Sequence, residues 1–136
     1  MNCIGIIGGG SWATALVKIL QESNKSLFWW VRSEEQLQHI KKHKKNPNYL
    51  RTVDLNFTNL TITNNLSELI SNTEVLIIAT PSAFIHDTFI DITPKQLNNK
   101  LIISAVKGII PQFNQVPSFY FSERFNILLP KTFENV

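Results

Sequence analysis

Gly8, Gly9 and Gly10 come directly after an apolar run, Cys3 to Ile7, and are followed by Ser11, Trp12 and Ala13. In this G-x-G-x-x-A pattern each small residue answers a physical demand. Gly8 permits a tight turn, Gly10 lets a bulky anion approach bare backbone, and Ala13 lets a helix and a strand pack closely. Where a helix opens at such a turn, its first free amides favour negative charge, and the pyrophosphate of a dinucleotide is the ligand the pattern receives. A glycine-rich turn that merely joins a strand to a helix gives the same letters, so the reading depends on the surrounding elements. Roughly 20 residues past the glycines, where a carboxylate would accept hydrogen bonds from an adenosine ribose, stands Arg32. A cation there suits the 2′-phosphate of NADPH; the plainer alternative is a surface arginine that stacks on an adenine or faces water.

The elements needed to position these residues are legible in the hydrophobic pattern. Cys3 to Ile7 reads as a buried parallel strand, and Ala13, Leu16, Val17 and Leu20 form one stripe of a helix. Leu27 to Val31 is a second strand. Ser33 with Gln36 has the spacing of a capping box, which predicts a helix ending near Lys45, before Pro47. Leu60 to Thr63 predicts a short strand, and Asn65 with Glu68 caps a brief helix to Ser71. Val75 to Ala79 is the next strand, running into Thr80, Pro81 and Ser82, after which Ile85, Phe89 and Ile92 have helical spacing. Leu101 to Val106 is another strand, closed by Lys107 and Gly108. Beyond it, Phe119 to Phe125 reads as a helix, Asn126 to Leu129 as the start of a strand, and Pro130 to Val136 as no element. Alternation of this kind predicts an α/β fold, a Rossmann-like doubly wound parallel sheet with helices on both faces.

Composition narrows the class further. At 136 residues, with 43% hydrophobic and 17% charged residues, the chain can bury the core of one domain and is not expected to be disordered. Much of its +3 charge lies in Lys41, Lys42, His43, Lys44 and Lys45. This run reads as solvated surface, since no aromatic platform or extended basic face accompanies it, and no nucleic-acid partner is expected. The single cysteine, Cys3, excludes an internal disulfide, and no metal-ligand spacing occurs; both features suit a reducing compartment without zinc. The apolar start lacks a basic leader, and no run approaches the roughly 18 apolar residues of a membrane span. A cytoplasmic protein without membrane insertion is expected.

Five segments taken together resemble one family, the bacterial-type NAD(P)-dependent glycerol-3-phosphate dehydrogenases. They are Gly8 to Leu16 (GGGSWATAL), Trp30-Val31-Arg32, Asn46 to Leu50 (NPNYL), Ala79 to Ser82 (ATPS) and Ser104 to Ile109 (SAVKGI). Ala13 departs from the glycine usual in that family, a tolerated variant. The resemblance implies reduction of dihydroxyacetone phosphate by NADPH or NADH to sn-glycerol 3-phosphate, a phospholipid precursor. It implies that Gly8, Gly10, Ser11, Trp12, Ala13, Arg32, Tyr49 and Lys107 form the cofactor site. Lys107 would stand between nicotinamide and substrate as the catalytic and substrate-binding residue, stabilising charge that develops on the carbonyl oxygen. The alternative for Lys107 is an ordinary solvated lysine before a turn glycine, and Trp12 and Tyr49 have packing alternatives.

The likeness covers residues 1–127 as a dinucleotide-binding domain and leaves 128–136 as a divergent tail. The family's helical substrate domain, with its general-acid lysine, is not found in the sequence. A truncated, frame-shifted or split gene product is therefore expected, its activity dependent on a missing or separately encoded half, with that C-terminal half or a homo-oligomer as the expected partner. The second reading, of a different class, is a non-catalytic nucleotide-binding module or remnant.

Overall fold

The computed structural model describes residues 3–48, 54–127 and 132–134. In chain order its elements are β1 (Cys3–Ile7), α1 (Ser11–Leu20), β2 (Ser26–Trp30), α2 (Glu34–His43), β3 (Leu60–Thr63) and α3 (Leu66–Ser71). There follow β4 (Val75–Ile78), α4 (Ser82–Thr88), a 3-10 turn (Pro94–Leu97), β5 (Leu101–Ser104), α5 (Pro117–Phe125) and β6 (Thr132–Glu134). The strands form one six-stranded sheet in the order β3-β2-β1-β4-β5-β6, and every pairing is parallel. This is the expected doubly wound arrangement.

Strand side chains alternate between two separate cores, as the period of two requires. On one face Ile6, Leu27, Trp29 and Ile62 pack with Ala13 and Val17 of α1 and with Leu37 and Ile40 of α2. On the other, Ile7, Trp30, Leu76, Ile78 and Ile102 meet α3, α4 and α5 through Leu69, Ile70, Ile85, Phe89, Tyr120 and Phe121. A strand covered on both sides must be apolar throughout, which is why these segments read as continuous hydrophobic runs.

Register matters for function. Ile7 lies beside Trp30 on one side and Ile78 on the other, and Ile78 lies beside Ser104. Four strands therefore end at one level, so that Gly8, Val31, Ala79 and Ala105 open adjacent loops along a single edge.

Several expectations need correction. Helix α2 stops at His43, because Lys44 takes a left-handed conformation (φ 56°) and closes it. The capping box at its start is half formed: Ser33 Oγ accepts from the Gln36 amide, but the Gln36 side chain turns elsewhere. Helix α4 ends at Thr88, so that Ile92 belongs to the following turn, and β4 and β5 end at Ile78 and Ser104. The strand start expected at Asn126 is absent: Asn126 (φ 55°) caps α5, and the Ile127 amide donates back to Ser122 O. Leu128 and Leu129 lie outside the described residues. Within the segment read as having no element, Thr132–Glu134 forms β6 against β5; three residues at a sheet edge are too short to declare a period.

Candidate functional site

The strand order reverses between β1 and β4, and parallel sheets receive ligands in the crevice beyond the carboxyl ends at such a point. A cleft of about 300 Å³ occupies it, lined by Gly8, Gly9, Gly10, Trp30, Arg32, Gln36, Asn48, Thr80, Pro81 and Phe84. Its floor is knitted together at Ile7 O, which accepts from the Ala79 amide (2.8 Å) and from Thr80 Oγ1 (3.1 Å).

The glycines do different work. Gly8 has φ +140°, which side chains rarely allow, and a Cβ there would stand 2.7 Å from Ala79 O. It is a glycine for the sake of the fold. Gly10 has φ −85° and ψ −170°, ordinary extended values, and a Cβ would meet nothing within 4 Å. Among the described residues nothing requires a glycine there, and the unfilled space is what the approach of a ligand to the backbone demands.

All three carbonyls of this turn point into the protein. Gly8 O accepts from the buried indole of Trp29 (2.6 Å). Gly9 O accepts from Gln36 Nε2 (2.8 Å) and Asn46 Nδ2 (3.1 Å). Gly10 O accepts from the Thr14 amide (3.0 Å) and Thr14 Oγ1 (2.7 Å). In a planar trans peptide the carbonyl and the next N–H point in opposite directions, so anchoring these carbonyls aims the amides of Gly9, Gly10 and Ser11 outward. None of those amides finds an acceptor among the described residues. No side chain caps α1, and no acidic residue stands in its first turn. The result is a concave set of donors at a helix N-terminus, chemically suited to an oxyanion group. A coenzyme diphosphate fits this backbone.

The other candidates fall around this centre. Arg32 lies exposed in the cleft, its Nη2 donating to Thr88 Oγ1 (3.0 Å) and its guanidinium 5.6 Å from the Phe84 ring centre. Ala13 is fully buried beneath the turn, where its small size serves packing. Ser11 and Trp12 are exposed on the first turn of α1, outside the cleft lining, so that Trp12 is not core. Lys107 is exposed in the loop after β5 and does not line the cleft. The neighbouring Gly108 (φ +96°) lies over Ser82 at the start of α4. Tyr49 lies outside the described residues. His86 packs as a structural ring: Nδ1 lies 2.9 Å from Tyr120 Oη, and the ring stands edge-on to Phe113.

The chain matches the model of the NAD-dependent glycerol-3-phosphate dehydrogenase N-terminus over residues 3–128. It belongs to this family. A glycerol-3-phosphate dehydrogenase [NAD(P)+] of Brachyspira hyodysenteriae is 35% identical over 106 residues, which are 78% of this chain and 31% of that protein. The corresponding protein of Mycoplasma mobile is 38% identical over 112 residues, 81% of this chain and 32% of that one. The crystal structure of glycerol-3-phosphate dehydrogenase from Coxiella burnetii superposes with a TM-score of 0.83 over 93% of this chain and 38% of its own; at 19% identity it supports the fold alone. The chain thus spans about a third of the length of the curated relatives it matches.

Around the glycine turn of this nucleotide-binding domain stand side chains that the sequence pattern does not single out. In the sequence Trp29 reads as one more apolar strand residue, and Gln36 as a helix-capping partner. Thr14 gave no signal. Asn46, fully buried, stood in a segment that marked the family without revealing what its amide holds. Phe84, with Pro81 and Thr80, lines the cleft together with the glycines. Among the described residues no cluster of three or more His, Cys, Asp or Glu could hold a metal, and no helix is long and apolar enough to cross a membrane.

Proposed function

We propose that this chain binds NADPH or NADH across the cleft and serves, in the cytoplasm, as the coenzyme half of an enzyme reducing dihydroxyacetone phosphate to sn-glycerol 3-phosphate. The observation that carries the reading is the inward anchoring of three consecutive carbonyls, which leaves the amides of Gly9, Gly10 and Ser11 without an acceptor among the described residues, beside a side-chain-free Gly10. Those amides would hold the diphosphate, with Ser11 and Trp12 at its edge and Ala13 supporting the helix beneath. Arg32 is assigned to the 2′-phosphate of NADPH, and the half-exposed Phe84 ring beneath its guanidinium is assigned to the adenine end. Tyr49 is assigned to the cofactor by resemblance alone.

When bound, a reduced nicotinamide supplies hydride to a carbonyl carbon. Lys107, in the loop at the carboxyl edge of the sheet, is assigned to the substrate. Its ammonium would orient the ketone and stabilise negative charge growing on oxygen. Full turnover further requires a proton donor and exclusion of water, for which the remaining two-thirds of a relative-length protein is the proposed source.

Calorimetric titration of the purified chain with NADPH and with NADH tests the core of this reading. Saturable heat with at least one coenzyme is expected. Absence of heat with both, at millimolar concentration and with the protein folded by circular dichroism, would remove it.

A further inference from the structure

Between the glycine turn and α2 lies a polar network that is almost wholly buried. Gln36 Nε2 donates both to Gly9 O (2.8 Å) and to Asn46 Oδ1 (3.1 Å). Asn46 Nδ2 donates to Gly9 O (3.1 Å) and to Thr14 Oγ1 (2.8 Å), and Asn46 Oδ1 accepts from the Asn48 amide (3.0 Å). Thr14 Oγ1 in turn donates to Gly10 O (2.7 Å). Every donor and acceptor of the Asn46 amide is used. Its orientation is dictated, since a flipped amide would set oxygen against Gly9 O and against a hydroxyl whose proton is already committed.

We infer that Gln36 and Asn46 are positioning residues for the coenzyme diphosphate, acting through the Gly9–Gly10 peptide; the inference rests on the coenzyme reading above. A peptide between two glycines has little intrinsic preference between its two faces, because neither residue carries a Cβ to bias it. Turned over, it would present a carbonyl oxygen to the anion in place of an N–H. Two amide donors on Gly9 O hold the peptide in the receptive orientation before any ligand arrives, so the cost of organising it is met by folding. The network also explains why the middle position is glycine. A Cβ on Gly9 would stand 2.8 Å from Gln36 Oε1 and displace the group that does the anchoring.

Gln36→Met keeps length and apolar volume and removes both donated bonds. Binding of NADH, ADP and adenosine to the unmodified chain and to this variant is compared, together with the midpoint of thermal unfolding. ADP carries a diphosphate and adenosine none. The expected result is a loss of about tenfold for NADH and ADP with adenosine unchanged. Unchanged affinity for NADH and ADP overturns the inference, and so does an equal loss for all three ligands, which would mean general damage to the cleft. Should Gln36→Met fail to fold, Thr14→Val, which removes the hydroxyl between Asn46 and Gly10 O, gives the same comparison with the same outcomes. Failure of the unmodified chain to bind NADH, NADPH or ADP is a separate result and overturns the coenzyme reading itself.

Discussion

Two glycines two residues apart should fail in opposite ways when substituted. In Gly10→Val the new side chain enters space with no atom of the described residues within 4 Å of its Cβ, at φ −85° and ψ −170°, which valine adopts freely. Valine is a poorer helix N-cap than glycine by about 1 kcal/mol, and the stiffer unfolded chain returns about 0.4–1 kcal/mol. Stability should therefore stay within about 1 kcal/mol of the unmodified protein. Affinity should not. The isopropyl group occupies the ground from which a phosphate reaches the amides, and losing two charge-assisted bonds at about 1.5–3 kcal/mol each costs roughly 3–6 kcal/mol, or a factor of about 10² to 10⁴ in Kd. Gly8→Ala should do the reverse. Its φ of +140° costs roughly 1–3 kcal/mol for a residue with a side chain, and the Cβ lies 2.7 Å from the Ala79 carbonyl, so the β1 and β4 ends must separate. Urea unfolding of both variants, with coenzyme titration of whichever is folded, decides the matter. A folded Gly10→Val that binds NADH and NADPH as well as the unmodified chain, or one destabilised as much as Gly8→Ala, would refute the reasoning.

Three further outcomes follow from single contacts. Arg32→Ala should weaken NADPH about tenfold or more while changing NADH little, because only the former offers a 2′-phosphate; equal losses in parallel titrations would remove the assignment. Trp29→Phe leaves Gly8 O without its buried donor and should lower stability by about 1–3 kcal/mol in urea unfolding, with no change in the slope of the transition. The Cys3 thiol is held above its ordinary pKa by burial first and by the Glu74 carboxylate second, so less of it is thiolate at pH 8 than in a free thiol. Alkylation by iodoacetamide in the folded protein should be slower than in the unfolded chain at that pH, and should accelerate as pH rises through and beyond the usual thiol range. Glu74→Gln should speed it.

Residue order alone determined much of this protein. Strand cores such as Cys3–Ile7 and Val75–Ile78 must be apolar throughout because helices cover both faces, and their alternation with helical stripes admits few topologies other than a doubly wound sheet. The glycine pattern and Arg32 were legible because they depend on local backbone freedom and on distance along the chain. Short or capped features were not. Thr132–Glu134 is too brief to show a period, and Asn126 ends a helix through a left-handed conformation that its neighbours do not announce.

What only the tertiary structure decided is which groups hold the turn. Trp29, Gln36 and Asn46 lie far from the glycines in sequence, and a donor's target is fixed by the meeting of β2, α2 and the following loop above β1. Hydrogen bonds of that kind leave no period and no spacing rule, because their geometry exists only once the sheet has assembled.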